Sequence, residues 1–350
     1  MKKFPNKFGT TLYFGDSFYE DITDFFNINK IQSKNILLFT GEKFFKNSKY
    51  YSLFCDLQEK NNNKIIKEFN IKQNPKEREV LGFYNKFKNN KNLVIISIGG
   101  GSVIDCAKLF SHYMGNKIEH YSIPTTFGSG AVFSSFIIFD NFEFKIGIMN
   151  GNVIPKSIYV NEEIINGLSK ELKLVGIIDI FTHSLESYLS KISNKTTRKY
   201  SKLSFKHINK YFNSKFKSLK DVLLAEIYSI NAEKTSLILF PHGAGHYLTY
   251  KKGVKHPLAT FFYLETFMDY LKENKVELPD ETQGIMDRIK KEFIRINYDF
   301  SWKRNDSASS LKMNKKYLNF IFKNSPIKLT DNNYLNLIRK SNQKWKIKDY

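Results

Sequence analysis

Two continuous apolar runs mark the first third of the chain. They lie within KNILLFTG (34–41) and NLVIISIGGG (92–101), and each ends in glycine. Neither alternates polar with apolar residues. Strands buried on both faces, as in parallel sheets, have this pattern. Between the runs, NSKYYSLFCDLQEKN (47–61) and EREVLGFYNKFKNN (77–90) carry helical spacing, and IEHYSIPTTFGSG (118–130) adds a further strand and a glycine-rich loop. Strands alternating with helices predict a doubly wound parallel α/β sheet. The pattern changes near NGNVIPKSIYVNEEI (150–164), beyond which strand-like runs nearly vanish. KELKLVGIIDIFTHSLESYLSK (170–191), PLATFFYLETFMDYLKENK (257–275), DETQGIMDRIKKEFIRI (280–296) and KKYLNFIFKN (315–324) all read as helices, and SWKRNDSASSLKMNKK (301–316) reads as a loop that turns helical late. The expected organisation is an α/β domain over 1–155 and an all-α domain over 156–350.

Composition narrows the classes. Of 350 residues, 41% are hydrophobic, with 32 Phe and 20 Tyr, which is enough for a sizeable core and excludes a disordered chain. The formal net charge is +21. The lysines are scattered, with no arginine cluster and no interleaving of aromatic and basic residues, so no nucleic-acid partner is expected. A positive field remains, and it favours anionic ligands such as a dinucleotide or a phosphorylated substrate. Cys55 and Cys106 form neither a disulfide framework nor a CxxC site, which fits a reducing compartment. The opening MKKFPNKFGTTLYFG lacks the apolar core of a signal peptide, and no apolar run approaches the ~20 residues of a membrane span. A soluble, cytoplasmic protein with no membrane partner is expected.

Candidate chemistry falls in three places. Gly99, Gly100, Gly101 and Ser102 follow a strand and precede the helix VIDCAKLFSHYM. Glycines let backbone N–H groups approach a phosphate, and the helix N-terminus adds partial positive charge. Asp105 lies in the first turn, where a carboxylate suits the dipole. The pattern is GGGSxxD, not the dinucleotide fingerprint GxGxxG, and a tight strand–helix turn is the alternative. PTTFGSG (124–130) offers the hydroxyls of Thr125, Thr126 and Ser129, which can close over a ribose or nicotinamide or simply make a turn.

The third place holds imidazoles. Asp179 and His183 lie four residues apart in a helical stretch, as do His242 and His246, so each pair shares a helix face. His256 directly precedes Pro257, which fits the start of a helix. A single buried histidine is more often a hydrogen-bonded core residue than a ligand. Two helical pairs plus a third element point instead to a divalent metal of the Fe, Zn, Co or Ni type.

GGGSVIDCAK, IPTTFGSGA, DIFTHSLESYLS and PHGAGHYLTYKKGVKHPLA occur in the order used by the iron-containing (group III) alcohol dehydrogenases of the dehydroquinate-synthase-like superfamily. The chain resembles that family over roughly residues 7 to 270. The resemblance implies an N-terminal nucleotide-binding domain, a helical C-terminal domain, and a metal in the cleft between them. It places the metal ligands on Asp179, His183, His242 and His256, with Fe2+ the expected ion and Zn2+ the other choice. It gives His246 a proton-relay role. Gly99, Gly100, Gly101, Ser102 and Asp105 fall on one cofactor loop, and Thr125, Thr126 and Ser129 on the second. Three departures bear on the substrate pocket: Ala131–Val132 after the second loop, Pro257 after the last histidine, and a short C-terminal region. Where many NAD-preferring members carry Asp, this chain has Gly41, with Lys43 and Lys46 nearby. That removes a repulsion toward a 2′-phosphate and favours NADP over NAD.

The expected activity is metal-dependent reduction of an aldehyde, or oxidation of an alcohol, with NADP(H) or NAD(H). Segment 240–259 most resembles the subgroup acting on phosphonoacetaldehyde, so a phosphonate- or phosphate-bearing substrate is expected, in a homodimer. The alternatives are a polyol- or glycerol-phosphate dehydrogenase, a cyclase-type lyase using NAD transiently, and a basic nucleic-acid-binding protein.

Overall fold

A computed structural model describes residues 1–4, 10–41, 45, 47–72, 75–141, 145–236, 238–296, 298 and 315–344. Lys43, Lys46 and residues 301–314 of the loop expected over 301–316 lie outside the described residues. The chain divides into two compact units, Met1–Leu168 and Ser169–Tyr350.

The first unit holds the strands β1 (Lys2–Phe4), β2 (Thr11–Gly15), β3 (Asn35–Gly41), β4 (Lys64–Ile71), β5 (Leu93–Gly99), β6 (Glu119–Pro124), β7 (Phe136–Asp140), β8 (Lys145–Met149) and β9 (Ser157–Asn161). Its helices are α1 (Phe18–Ile28), α2 (Lys49–Lys60), α3 (Glu77–Phe87), α4 (Gly101–Tyr113) and α5 (Glu162–Asn166). Seven strands form one sheet in the order β1-β2-β9-β6-β5-β3-β4, while β7 and β8 pair as a separate antiparallel ribbon. Every neighbouring pair of the large sheet is parallel except β1–β2.

The continuous apolar runs resolve into two faces. Ile36, Leu38, Val94, Ile96 and Ile98 pack with Phe25 and Phe26 of α1 and Phe54 of α2. Leu37, Phe39 and Ile95 turn the other way, onto Val80 of α3 and Cys106 and Phe110 of α4. Successive side chains point to opposite faces, so a strand covered by helices on both sides needs apolar residues throughout. From β3 the chain winds outward to β4, then returns to the far side of β3 for β5. This reversal is the switch point at which open α/β sheets bind ligands, beyond the C-terminal strand ends. Gly41 and Gly99 end the two strands that flank it.

The compact units divide after Leu168, some way beyond the change of pattern near residue 155. The reason is β9. SIYVN is fully buried, pairs with β2 and β6, and therefore belongs to the sheet. It is too short to stand out among the turn residues around it.

The second unit is helical among the described residues: α6 (Lys170–Leu189), α7 (Lys195–Asn213), α8 (Leu219–Glu233), α9 (Phe240–Lys252), α10 (His256–Glu273), α11 (Glu281–Arg295), α12 (Lys315–Asn324) and α13 (Asp331–Lys344). Ser169, Asn194 and Ser218 cap α6, α7 and α8, their side-chain oxygens accepting from the backbone N–H three residues on. Among the described residues, no helix is long and apolar enough to cross a membrane.

Candidate functional site

The candidate nucleotide loops lie at the C-terminal end of the sheet. Gly100 is the extended N-cap residue of α4, and no side chain caps that helix. Its first-turn amides are the donors that an anion would take. The three glycines answer three packing demands. A Cβ on Gly99 would come within 2.5 Å of Val103, one on Gly100 within 2.8 Å of Thr126 Oγ1, and one on Gly101 within 2.7 Å of Ser129 Oγ. The two loops predicted separately are thus pressed together, and Thr125 N–H donates to Gly99 O at 3.0 Å. Gly128 and Gly130 adopt positive φ in the second loop. Among the described residues Gly41 is under no such pressure: a Cβ there would meet only Val103, at 3.8 Å.

Asp105 faces inward. Its carboxylate lies 3.3 Å from the ammonium of Lys108, which is fully buried. Lys108 also donates to Ala131 O at 3.0 Å and to Phe136 O, so it ties α4 to the chain that follows the second loop. Nothing local in the sequence marks Lys108, because a lysine three residues after an aspartate on a helix usually belongs to a solvated face. Close by, His120 shares a hydrogen bond of 2.8 Å with Ser97 Oγ. Burial, helped by the Lys108 charge, pulls its pKa down to about 3, so this imidazole is neutral.

In the second unit, α6 carries Asp179 and His183 on one face and α9 brings His242 to them. Asp179 Oδ1 lies 3.9 Å from His183 Nδ1 and 3.8 Å from His242 Nε2, and the two imidazoles stack at 4.3 Å. Donors that each sit about 2.1 Å from one ion can be at most about 4.2 Å apart. Asp179, His183 and His242 are all buried, with one donor atom from each within 4.8 Å of the others. Asp179 Oδ1, His183 Nδ1 and His242 Nε2 lack a hydrogen-bond partner among the described residues. Buried polar atoms are seldom left so, and the residues present therefore fit a divalent metal.

His256 and His246 stand beside this group, outside the three residues whose donor atoms lie within 4.8 Å of one another. The His256 ring lies 5.2 Å from that of His242 and stacks on His246 at 4.1 Å, with 12° between planes. The chain reaches this arrangement through two glycines. Gly253 closes α9 in the left-handed conformation, at φ 66°, and the chain turns into α10 with Pro257 in its first turn. A Cβ on Gly245 would lie 2.6 Å from Thr260 Oγ1 and 3.0 Å from Thr260 backbone atoms. Only glycine admits α10 that close to α9. Thr260 sits one turn beyond His256 and its hydroxyl donates to His256 O at 3.0 Å.

Glu186, which lies within DIFTHSLESYLS but is given no role by the sequence, stands behind His242. It is almost wholly buried, and its Oε1 lies 3.1 Å from His242 Nδ1. Burial presses the His242 pKa down, but Glu186 and Asp179 outweigh it and raise the value to about 10. Glu186 follows Asp179 by seven residues, two helical turns, and that spacing is the one signal of it along the chain.

Residues 9–162 match the iron-containing alcohol dehydrogenase family. Alcohol dehydrogenase 4 of Saccharomyces cerevisiae is 26% identical over 259 residues, covering 68% of this chain and 66% of the yeast protein. The NADH-dependent butanol dehydrogenase A of Clostridium acetobutylicum is 25% identical over 55% of this chain and 53% of its own length. The chain thus spans just under two thirds and about half of these relatives. An iron-containing alcohol dehydrogenase from Thermotoga maritima shares the fold, with a TM-score of 0.77 and 21% identity over 96% of this chain and 98% of that one. With the sheet, the helical unit and the Asp–His group in place, these matches show what the chain is similar to: over residues 9–162 it matches the iron-containing alcohol dehydrogenase family, and it shares that family's fold.

Proposed function

We propose that the protein is a metal-dependent, NAD(P)H-linked alcohol dehydrogenase that works as an aldehyde reductase. The observation that carries this reading is the group of orphaned, buried donors on Asp179, His183 and His242, in a chain whose residues 9–162 match the iron-containing alcohol dehydrogenase family. His256 is the fourth proposed ligand. Asp with three imidazoles suits Fe2+, Zn2+, Co2+ or Ni2+, and the likeness to iron-containing alcohol dehydrogenases favours Fe2+, with Zn2+ the other choice. When bound, the ion supplies a Lewis acid for the carbonyl, and the reduced nicotinamide supplies hydride.

The remaining work falls to the chain's own side chains. Asp179 and the imidazoles hold their donors inward, in a site that excludes water. His246, one turn after His242 and stacked on His256, moves a proton at a ring nitrogen to the oxygen of the reduced product. In the other unit, the amides at the start of α4 hold the pyrophosphate. Thr125 and Thr126 border the ribose and nicotinamide end. Lys108 keeps the second loop in place from beneath. Gly41 leaves the adenosine end free of a carboxylate, which supports NADP(H) over NAD(H).

For substrate, we infer an aldehyde bearing an anionic group, with phosphonoacetaldehyde the specific choice. The likeness of segment 240–259 and the net charge of +21 support it. The competing reading is a plain aliphatic aldehyde, such as butanol dehydrogenases make their alcohols from, and the two relatives' names favour it. We further propose a cytoplasmic homodimer. Metal analysis of the purified protein, then NADPH oxidation against phosphonoacetaldehyde, glyceraldehyde phosphate and butyraldehyde, tests the function. No bound metal and no oxidation with any aldehyde would refute it. Light scattering on a sizing column tests the dimer.

A further inference from the structure

The N-terminus of α9 is capped from outside. Leu239, at its N-cap position, provides no side-chain hydrogen bond. Glu186 of α6 provides the acceptors instead. Its Oε2 accepts from Leu239 N–H at 2.6 Å and its Oε1 from His242 N–H at 2.9 Å. The same Oε1 lies 3.1 Å from His242 Nδ1. One buried carboxylate thus meets the main chain and the side chain of a single residue.

We propose that Glu186 is the positioning residue of the metal site, fixing His242 by both backbone and ring so that Nε2 is its donor atom. The inference rests on the ion site of the proposed function and adds a residue to it. The argument is geometric. An imidazole presents one lone pair when neutral, and which nitrogen carries it depends on what the other nitrogen donates to. Glu186 Oε1, 3.1 Å from Nδ1 but without hydrogen-bond alignment, favours a proton on that nitrogen by its charge, and Nε2 is left to face Asp179 Oδ1, 3.8 Å away. The two backbone contacts fix the start of α9, so the ring cannot turn away with its helix. Asp179, His183 and Glu186 lie four and then three residues apart on α6. One helix therefore supplies two proposed ligands and the group that aims a third, which comes from another helix. A glutamine would keep the size but not the three contacts. Its amide group has one acceptor oxygen, and its NH2 would face either Leu239 N–H or the His242 pair.

The test uses full-length protein stripped of metal and titrated with Zn2+ against a chromogenic chelator. Glu186→Gln, folded as judged by circular dichroism, should bind Zn2+ about 10–100-fold more weakly. Glu186→Asp, which keeps a carboxylate, should recover part of that loss. A purely structural role would lower the melting temperature of the folded variant and leave its Zn2+ affinity alone. Wild-type affinity in folded Glu186→Gln overturns the inference while the ion site stands. If the wild type itself takes up no stoichiometric metal, the ion site falls, and the inference with it. Should Glu186→Gln not fold, nitrogen NMR of the zinc-loaded wild type decides the matter. A proton on His242 Nδ1 and metal on Nε2 supports the assignment, and metal on Nδ1 overturns it.

Discussion

The glycine turn after β5 and the histidine cluster of α6, α9 and α10 are built on opposite principles. The turn works by leaving side chains out: Gly100 and Gly101 make room for Thr126 and Ser129, and the groups offered to a ligand are backbone amides and hydroxyls. The cluster works by bringing side chains in, from α6 and α9 onto one point, with the His256 ring of α10 beside it. Yet the second depends on the first principle at one position. Gly245 lets α10 approach α9 as Gly101 lets one loop approach another. Precise placement of reactive groups thus rests on residues that carry none.

Substitutions can separate the two regions. The largest effect is expected from His242→Ala, which should lower metal affinity and aldehyde reduction by more than about 100-fold, beyond the loss typical of a group behind a ligand. NADPH binding, read by fluorescence, should stay near wild type. Loss of both together would show that the regions are not independent. Gly101→Ala should do the reverse, weakening NADPH binding by about 1–3 kcal/mol through overpacking against Ser129, with metal content intact. Gly245→Ala should destabilise the helical unit by a similar 1–3 kcal/mol, roughly, and loosen metal binding, although no donor is touched. If its metal affinity matched wild type, the approach of the two helices would not be what sets His256.

A smaller effect should appear with pH. His120 titrates near 3 when folded and near 6.5 when the chain is unfolded, so below about 6.5 the unfolded chain takes up a proton that the folded one refuses. Stability from this group is present above that range and is lost as pH falls toward 3, with a slope of at most about 1.4 kcal/mol per unit. A urea series between about pH 7 and 4 should show this slope, and His120→Gln should flatten it. The smallest change expected is in cofactor choice. Gly41→Asp has room for its Cβ and should shift preference from NADPH toward NADH by about tenfold, roughly 1.4 kcal/mol.

Much of the molecule is legible where the information is local. The buried strands of the sheet show as apolar runs, the turn as three glycines, and the Asp–His and His–His pairs as four-residue spacings on helices. What stays hidden depends on partners distant in sequence. Lys108 looks like a surface lysine until Ala131 and Phe136 fold over it. Glu186 looks like one more helical glutamate until α9 lays its first amides against it. SIYVN lies in the stretch where the pattern changes and is not picked out as a strand until β2 and β6 take it in as β9. The glycines read as room for a phosphate, and the fold adds that they also make room for Thr126 and Ser129.

The link from α9 to α10 consists of Gly253, Val254 and Lys255, and the helix contact at Gly245–Thr260 follows one turn after His256. Each residue of a helix advances the direction of a side chain by about 100°. One residue added or removed between His256 and Thr260 would therefore swing the imidazole out of the cluster while leaving the helix contact whole. Over evolutionary time this stretch can exchange letters but cannot change its length. Gaps in the lineage of this protein should collect elsewhere, and the distance from Gly245 to Thr260 should be kept as a fixed measure.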